Sequence, residues 1–431
     1  MTTVGFVGMT HLGIVSSAAV AQKGIKTVCF DNNEKLIKNL KAGNLPIVEP
    51  DLDELISANA ATQEFSSDIA SLDQCDLIYV ALDIATDDFG NSDTSAINQL
   101  IEQIATVLNP TTTMVILSQV EPGFTRALNH PANLAHRYYQ VETLVFGQAV
   151  ERATQPERYI IGCDNPSKPL CPHLKKVLCA FDCPILPMRY ESAELAKISI
   201  NFCLVSSISV ANTLAEICES IGADWSEIVP ALKLDRRIGQ YSYLSPGLGI
   251  AGGNLERDLT TIERIGSAKN TDTAIVAAWK QNSFYRKNWA ARTIYSQLLN
   301  ANPNSTVAIW GLAYKENTHS IKNSPSIATI AQMSDTKLHL HDPVVSGDVV
   351  EHSNAEFFQS PLEALHAAVA LMILTPWDEY KKFSTADIVS RMKGRMIIDP
   401  YRVLAFTPEQ LSEVQYHTLG RASAHTSNGK L

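Results

Sequence analysis

Near the start of the chain, Gly8, Thr10, Gly13 and Asp31 have the types and spacing of a turn that can hold a phosphate between a strand and a helix. An apolar run at 3–7 ends in Gly8, and residues 14–21 are small and apolar, as a helix lying close on a sheet requires. A second apolar run at 26–30 ends in Asp31. In the fingerprint G-x-G-x-x-G the middle glycine lets the backbone approach a pyrophosphate. Thr10 stands at that position, so its side chain either weakens dinucleotide binding or offers a hydroxyl to a phosphate oxygen from a slightly wider turn. Asp31 can accept hydrogen bonds from ribose hydroxyls and repels a 2′-phosphate, which favours NAD over NADP; Asn32 and Asn33 leave NADP open. The candidate cofactor residues are therefore Gly8, Thr10, His11, Leu12, Gly13 and Asp31. The bland alternative is a Rossmann-like fold that no longer binds a nucleotide.

A second chemical signal lies between residues 191 and 221, where helical apolar spacing is nearly unbroken. Lys197 interrupts that pattern, and Asn201 follows four residues later on the same helical face. An amine set among apolar neighbours is a candidate for a functional role rather than a solvated surface lysine. Residues 246–253 form a glycine-rich loop, Pro-Gly-Leu-Gly-Ile-Ala-Gly-Gly, followed by Asn254, Arg257 and Asp258. His319, His339 and His341 show no ligand spacing, and Cys179 and Cys183 have no second pair to complete a site, so no metal is expected.

The elements that must position these residues alternate strand and helix. Further strands are expected at 77–81, 113–117 and 159–161, then at 307–310, 338–340, 370–374 and 396–398. The expected fold class is α/β: an N-terminal Rossmann-like domain (1–189), a central helical domain (190–295), a smaller C-terminal Rossmann-like domain (301–420) and a disordered tail (421–431). A polar linker at 301–305 separates the last two domains.

Composition limits the partners. The chain of 431 residues carries a formal net charge of −10, which argues against nucleic acid but allows a basic pocket for a small anionic ligand. No apolar run reaches the ~18 residues of a membrane span, and no signal peptide is read at the N-terminus. A cytoplasmic protein with its eight cysteines reduced is the expectation.

Residues 311–318, Gly-Leu-Ala-Tyr-Lys-Glu-Asn-Thr, followed by Ser-Ile-Lys-Asn-Ser-Pro at 320–325, closely resemble the run that opens the C-terminal domain of the UDP-glucose and GDP-mannose dehydrogenase family. The likeness spans nearly the whole chain. It implies an NAD-dependent oxidoreductase acting on a nucleotide sugar, with the central helical domain forming a homodimer. Ser118 and Gln119 fall where family members have Ser-Thr, which implies that both contact the cofactor, and Glu142 falls on the glutamate of Pro-Glu-Phe-Leu, with Phe146 at that motif's second glutamate. Lys197 and Asn201 match the catalytic lysine and asparagine. Arg237 matches an arginine that reaches substrate in the partner subunit. Gly249 and Gly252 lie in the matching substrate loop, after which Asn254 takes the cysteine position, Arg257 the lysine and Asp258 the aspartate. Lys315, Lys322 and Arg402 match positions implied to contact the substrate diphosphate, with Lys322 in place of an arginine.

The likeness breaks where the family's covalent chemistry begins. Its members oxidise a primary alcohol to an acid in two hydride transfers, with a thioester between them. No cysteine follows Cys218 in this chain, so no shift of alignment supplies the thiol, and an amide such as Asn254 is not a nucleophile at neutral pH. Three readings remain open from sequence: a thiol-free dehydrogenase, a nucleotide-sugar-binding or regulatory homologue, and a dehydrogenase of a different substrate.

Overall fold

The computed structural model describes residues 2–87, 90–129, 134 and 136–422. Its backbone parts into two compact units, Met1–Ile200 and Asn201–Leu431, with the boundary inside a 32-residue helix, Tyr190–Ile221.

The first unit is built on one eight-stranded sheet. From edge to edge the order is Ile185–Arg189, Tyr159–Cys163, His136–Gln140, Thr113–Ile116, Leu77–Val80, Thr3–Val7, Lys26–Phe30 and Gln63–Ser66. Every neighbouring pair is parallel except His136–Gln140 with Tyr159–Cys163. Chain order reverses beside Thr3–Val7, so the carboxyl ends of that strand and of Leu77–Val80 open a crevice at a topological switch point. The helix His11–Gln22 lies on this sheet through nine buried residues, and its Ala18, Ala19 and Ala21 are small enough for close approach. In this sheet three strands go beyond the sequence expectation. Gln63–Ser66 is a short edge strand with alternating burial, Ile185–Arg189 is a mostly exposed edge containing Pro187, and His136–Gln140 begins with the polar pair His136 and Arg137. None of them offers the continuous apolar run that marks a central parallel strand.

The second unit opens with helices Trp225–Leu234, Asn254–Lys269, Ala274–Lys287 and Trp289–Ile294 and continues into a six-stranded sheet. Its order is Ala355–Phe357, Lys337–His341, Thr306–Trp310, Ala370–Ile373, Met396–Ile398 and Gln415–His417, all parallel. This sheet also reverses beside its first strand. At that point Gly311 has φ +96° and a Cβ on it would meet the Thr375 backbone nitrogen at 2.6 Å, so glycine is required for the loop to pass. In the expected tail at 421–431, Arg421 makes a β-bridge to Asp224, and residues 423–431 lie outside the described ones.

Among the described residues, Tyr190–Ile221 is the one helix long and apolar enough to cross a membrane by length and composition. It carries Glu194, Lys197, Asn201 and Asn212 as buried side chains, polar groups that are rarely buried without partners.

Candidate active site

The first unit assembles the dinucleotide turn. Gly8 leaves its strand at φ +94°, with its amide donating to the Phe30 carbonyl at 2.9 Å. A Cβ on Gly13 would lie 2.0 Å from the Gly8 carbonyl oxygen, so the helix packs on the turn only because that position is glycine. Asp31 stands at the end of the neighbouring strand. Its Oδ2 accepts the Met9 amide at 2.8 Å and its Oδ1 the Asn33 amide at 2.9 Å, leaving lone pairs for ribose hydroxyls. Thr10 Oγ1 donates to the Ala81 carbonyl at 3.0 Å, which uses the proton that a bond to phosphate would need. Leu12 points into the core, so its contribution to a cofactor would come from its backbone amide. These close approaches and the held carboxylate fit a dinucleotide.

His11, the first residue of the helix, has its Nε2 2.8 Å from Glu49 Oε1, and the Phe146 ring lies 4.2 Å from the imidazole. Glu49 is buried and also accepts the amides of Gly147 at 2.9 Å and Ala149 at 3.3 Å. Burial pushes the Glu49 carboxyl up, but the His11 ring and the two amides outweigh it and hold the group below the ordinary value. Ser118 Oγ donates to the Val80 carbonyl at 3.3 Å, and Gln119 lies half-buried on the loop that follows. Deeper in the unit, Lys197 Nζ is 2.6 Å from Glu142 Oε1, with both side chains largely shielded from solvent.

The second unit holds the other set. Asn201 Nδ2 donates to Asp258 Oδ2 at 2.5 Å, and Arg257 Nε lies 3.6 Å from Asp258 Oδ1; all three residues are buried. Asn254 is the first residue of helix Asn254–Lys269, directly after the glycine loop. Gly249 packs so closely on Ser283 that a Cβ would meet its carbonyl at 2.5 Å, and the Gly252 amide donates to the Lys322 carbonyl at 3.1 Å. The Lys322 side chain borders Gly253, the Tyr314 ring borders Gly252, and Lys315 Nζ lies 5.9 Å from the Tyr314 centroid. Of the other expected substrate residues, Arg237 is exposed and pairs with Asp235 in its own turn, and Arg402 reaches Asp224 at 3.0 Å and Ser226 at 2.9 Å.

Sequence reasoning did not single out Glu49 and Glu194 as site residues. Both are carboxylates buried against backbone amides, and no local signal marks an acid as buried when its donors lie roughly 70 to 100 residues away along the chain.

All eight cysteines are free thiols. Burial pushes Cys29 up to about 11 and Cys75 up to about 12, and it raises Cys163, Cys183 and Cys218 as well. These five are the opposite of an activated nucleophile. Among the described residues no group of three or more His, Cys, Asp or Glu is arranged to hold a metal; His339 and His341 are buried against the Ala364 carbonyl and the Tyr380 hydroxyl.

Comparison with known proteins shows the family. Three domain models of one family match in order: the NAD binding domain of the UDP-glucose/GDP-mannose dehydrogenase family over residues 2–178, its central domain over 191–283 and its UDP binding domain over 308–406. The UDP-glucose 6-dehydrogenase TuaD of Bacillus subtilis is 28% identical over 98% of this chain and 94% of its own length. The UDP-glucose 6-dehydrogenase of Rickettsia typhi is 26% identical over 97% and 99%. The fold is shared with a UDP-glucose dehydrogenase from Pyrobaculum islandicum, at a TM-score of 0.85 and 22% identity covering 98% of each chain. With all three domains matched in order, the chain belongs to the UDP-glucose/GDP-mannose dehydrogenase family and is an NAD-dependent enzyme of the nucleotide-sugar dehydrogenase kind.

Proposed function

We propose that the enzyme oxidises a CH–OH group of a UDP-linked sugar by a single hydride transfer and does not proceed through a thioester. The observation that carries this is the combination of an intact Lys197–Glu142 pair with a substrate loop that ends in Asn254 instead of a thiol. NAD, when bound, supplies the hydride acceptor. The Glu142 carboxylate takes the hydroxyl proton, and the Lys197 ammonium stabilises the alkoxide as it develops. In the second unit, Asp258 fixes the Asn201 amide in one orientation, so that it can hold a substrate oxygen. Lys315 and Lys322 provide positive charge for a diphosphate, and the match to a UDP binding domain supports uridine as the base. Domains at 1–189, 190–295 and 301–420, a homodimer and a cytoplasmic location belong to the same reading; the free thiols support a reducing compartment.

The test is a count of NADH formed per sugar consumed across a panel of UDP- and GDP-sugars, with the product identified by mass. One NADH per sugar with an aldehyde or ketone product supports the proposal, and two with an acid product reject it. Measurable ligand binding without NADH favours a binding homologue, a reading for which the substitutions at Gln119, Phe146 and Asn254 speak. Asn254→Cys alone is expected to leave the stoichiometry at one, because Gln119 and Phe146 also depart from the family pattern. Robust four-electron oxidation by that variant would contradict this.

A further inference from the structure

The loop after strand Thr113–Ile116 carries Ser118 and Gln119 and then turns at Gly123 into the short helix Phe124–Ala127. Two carboxylates, one turn apart at the start of the long helix, hold this segment. Glu191 lies near the surface and pairs with Arg126, which also reaches Asp164 at 2.9 Å and covers the Tyr190 ring. Glu194 is fully buried, and its two oxygens accept the amides of Gly123 at 2.5 Å and Thr125 at 2.9 Å.

The two contacts differ in weight. An ion pair open to water is screened and contributes little. A buried carboxylate satisfied by amides cannot be released without stranding a charge and two N–H groups. Because Glu194 binds backbone alone, it controls the path of the loop whatever side chains the loop carries. Three residues further along the same helix is Lys197, itself held by Glu142.

We propose that Glu194 is a positioning residue that sets the Ser118 and Gln119 loop in register with Lys197, so that the loop meets the cofactor in the geometry the reaction needs. This rests on the NAD-dependent reading above, with Gln119 as a cofactor contact. The two oxygens of Glu194 fix two specific amides, so the acid sets the position of the loop backbone as well as filling space.

The experiment measures NADH affinity by fluorescence and amide exchange at Gly123 and Thr125 in the full chain. The variants are Glu194→Gln, Glu191→Gln, Gln119→Ala and the Glu194→Gln/Gln119→Ala double. Glu194→Gln is expected to speed exchange at both amides and weaken NADH about tenfold, while Glu191→Gln stays within about twofold. In the Gln119→Ala background the Glu194 change is expected to cost nothing further, since a residue acting through Gln119 is not additive with it. Should Glu194→Gln fail to fold, Glu194→Asp, which keeps the charge and shortens the reach, carries the same comparison. Unchanged NADH affinity despite faster exchange, unchanged exchange, or losses that add in the double variant would each overturn the proposal. Absence of NADH binding by the unmodified protein would instead refute the cofactor reading on which it stands.

Discussion

Lys197 and Glu142 form a charge pair shielded from water, and that burial decides how the lysine can be tested. Removing one member of a fully buried pair strands the other and costs about 3–5 kcal/mol, and because Glu142 is only partly buried the loss here is expected to be smaller. Lys197→Met alone is therefore expected to lose activity and thermal stability together, an outcome that a structural lysine would also give. Adding Glu142→Gln removes the stranded charge, so most of the stability should return while hydride transfer remains absent and NADH still binds; calorimetry and an NADH titration check both halves. Glu49 makes a different kind of residue-scale prediction. Its carboxyl is held below the ordinary value of 4.5 by His11 and two amides that outweigh burial. A depressed carboxyl stabilises the folded state fully above its unfolded value and loses that contribution as pH falls through the folded one. The gap in melting temperature between the unmodified protein and Glu49→Gln should narrow as pH falls below about 4.5. A gap that widens in acid would show that the carboxyl is not the stabilising form.

At the scale of elements, the strand-turn-helix around Gly8 and Gly13 was legible because its signals are local: an apolar run, glycines at fixed offsets, small helix residues and an acid at the end of the next strand. Gly13→Ala places a Cβ against a backbone oxygen that has no rotamer to adopt, so the turn itself must open. A loss of about 1–3 kcal/mol in stability and a large loss of NADH affinity are expected, read by thermal melting and by fluorescence. Wild-type affinity in that variant would mean the cofactor does not use this turn. What remained hidden depends on partners distant in sequence. The Thr10 hydroxyl is used by Ala81, and the buried states of Glu49 and Glu194 come from amides at Gly147, Gly123 and Thr125. Edge strands such as Ile185–Arg189 escaped notice for a related reason. Half-exposed strands lack the apolar run that makes a central strand visible, and here the strand also holds a proline.

For the whole molecule, the C-terminal part of the long helix raises the question of what covers it. Ala211, Ala215 and Cys218 face inward and are buried, whereas Val210, Leu214, Ile217 and Ile221 are between 41% and 69% exposed. Their spacing of four, three and four residues draws one stripe along the helix surface. Leu234 and Phe284 in the same unit are also exposed, at 81% and 71%, so apolar surface recurs here rather than occurring at a single position. Scattered apolar residues need no explanation, but a continuous stripe on a helix is the usual mark of an interface. A second copy of the chain is the occupant consistent with the homodimer proposed above, because a two-fold axis brings the same stripe from both partners together. Covering a Leu or Ile side chain is worth about 1.5–3 kcal/mol, and each of these residues would be counted twice across a symmetric interface. Leu214→Glu with Ile217→Glu is thus expected to weaken self-association by at least about a thousandfold, turning a dimer at micromolar concentration into a monomer by sedimentation velocity while helical circular dichroism is preserved. A protein that already sediments as a monomer before substitution would reject this face as a self-association surface, and dimerisation unaffected by the two charges would move the interface elsewhere.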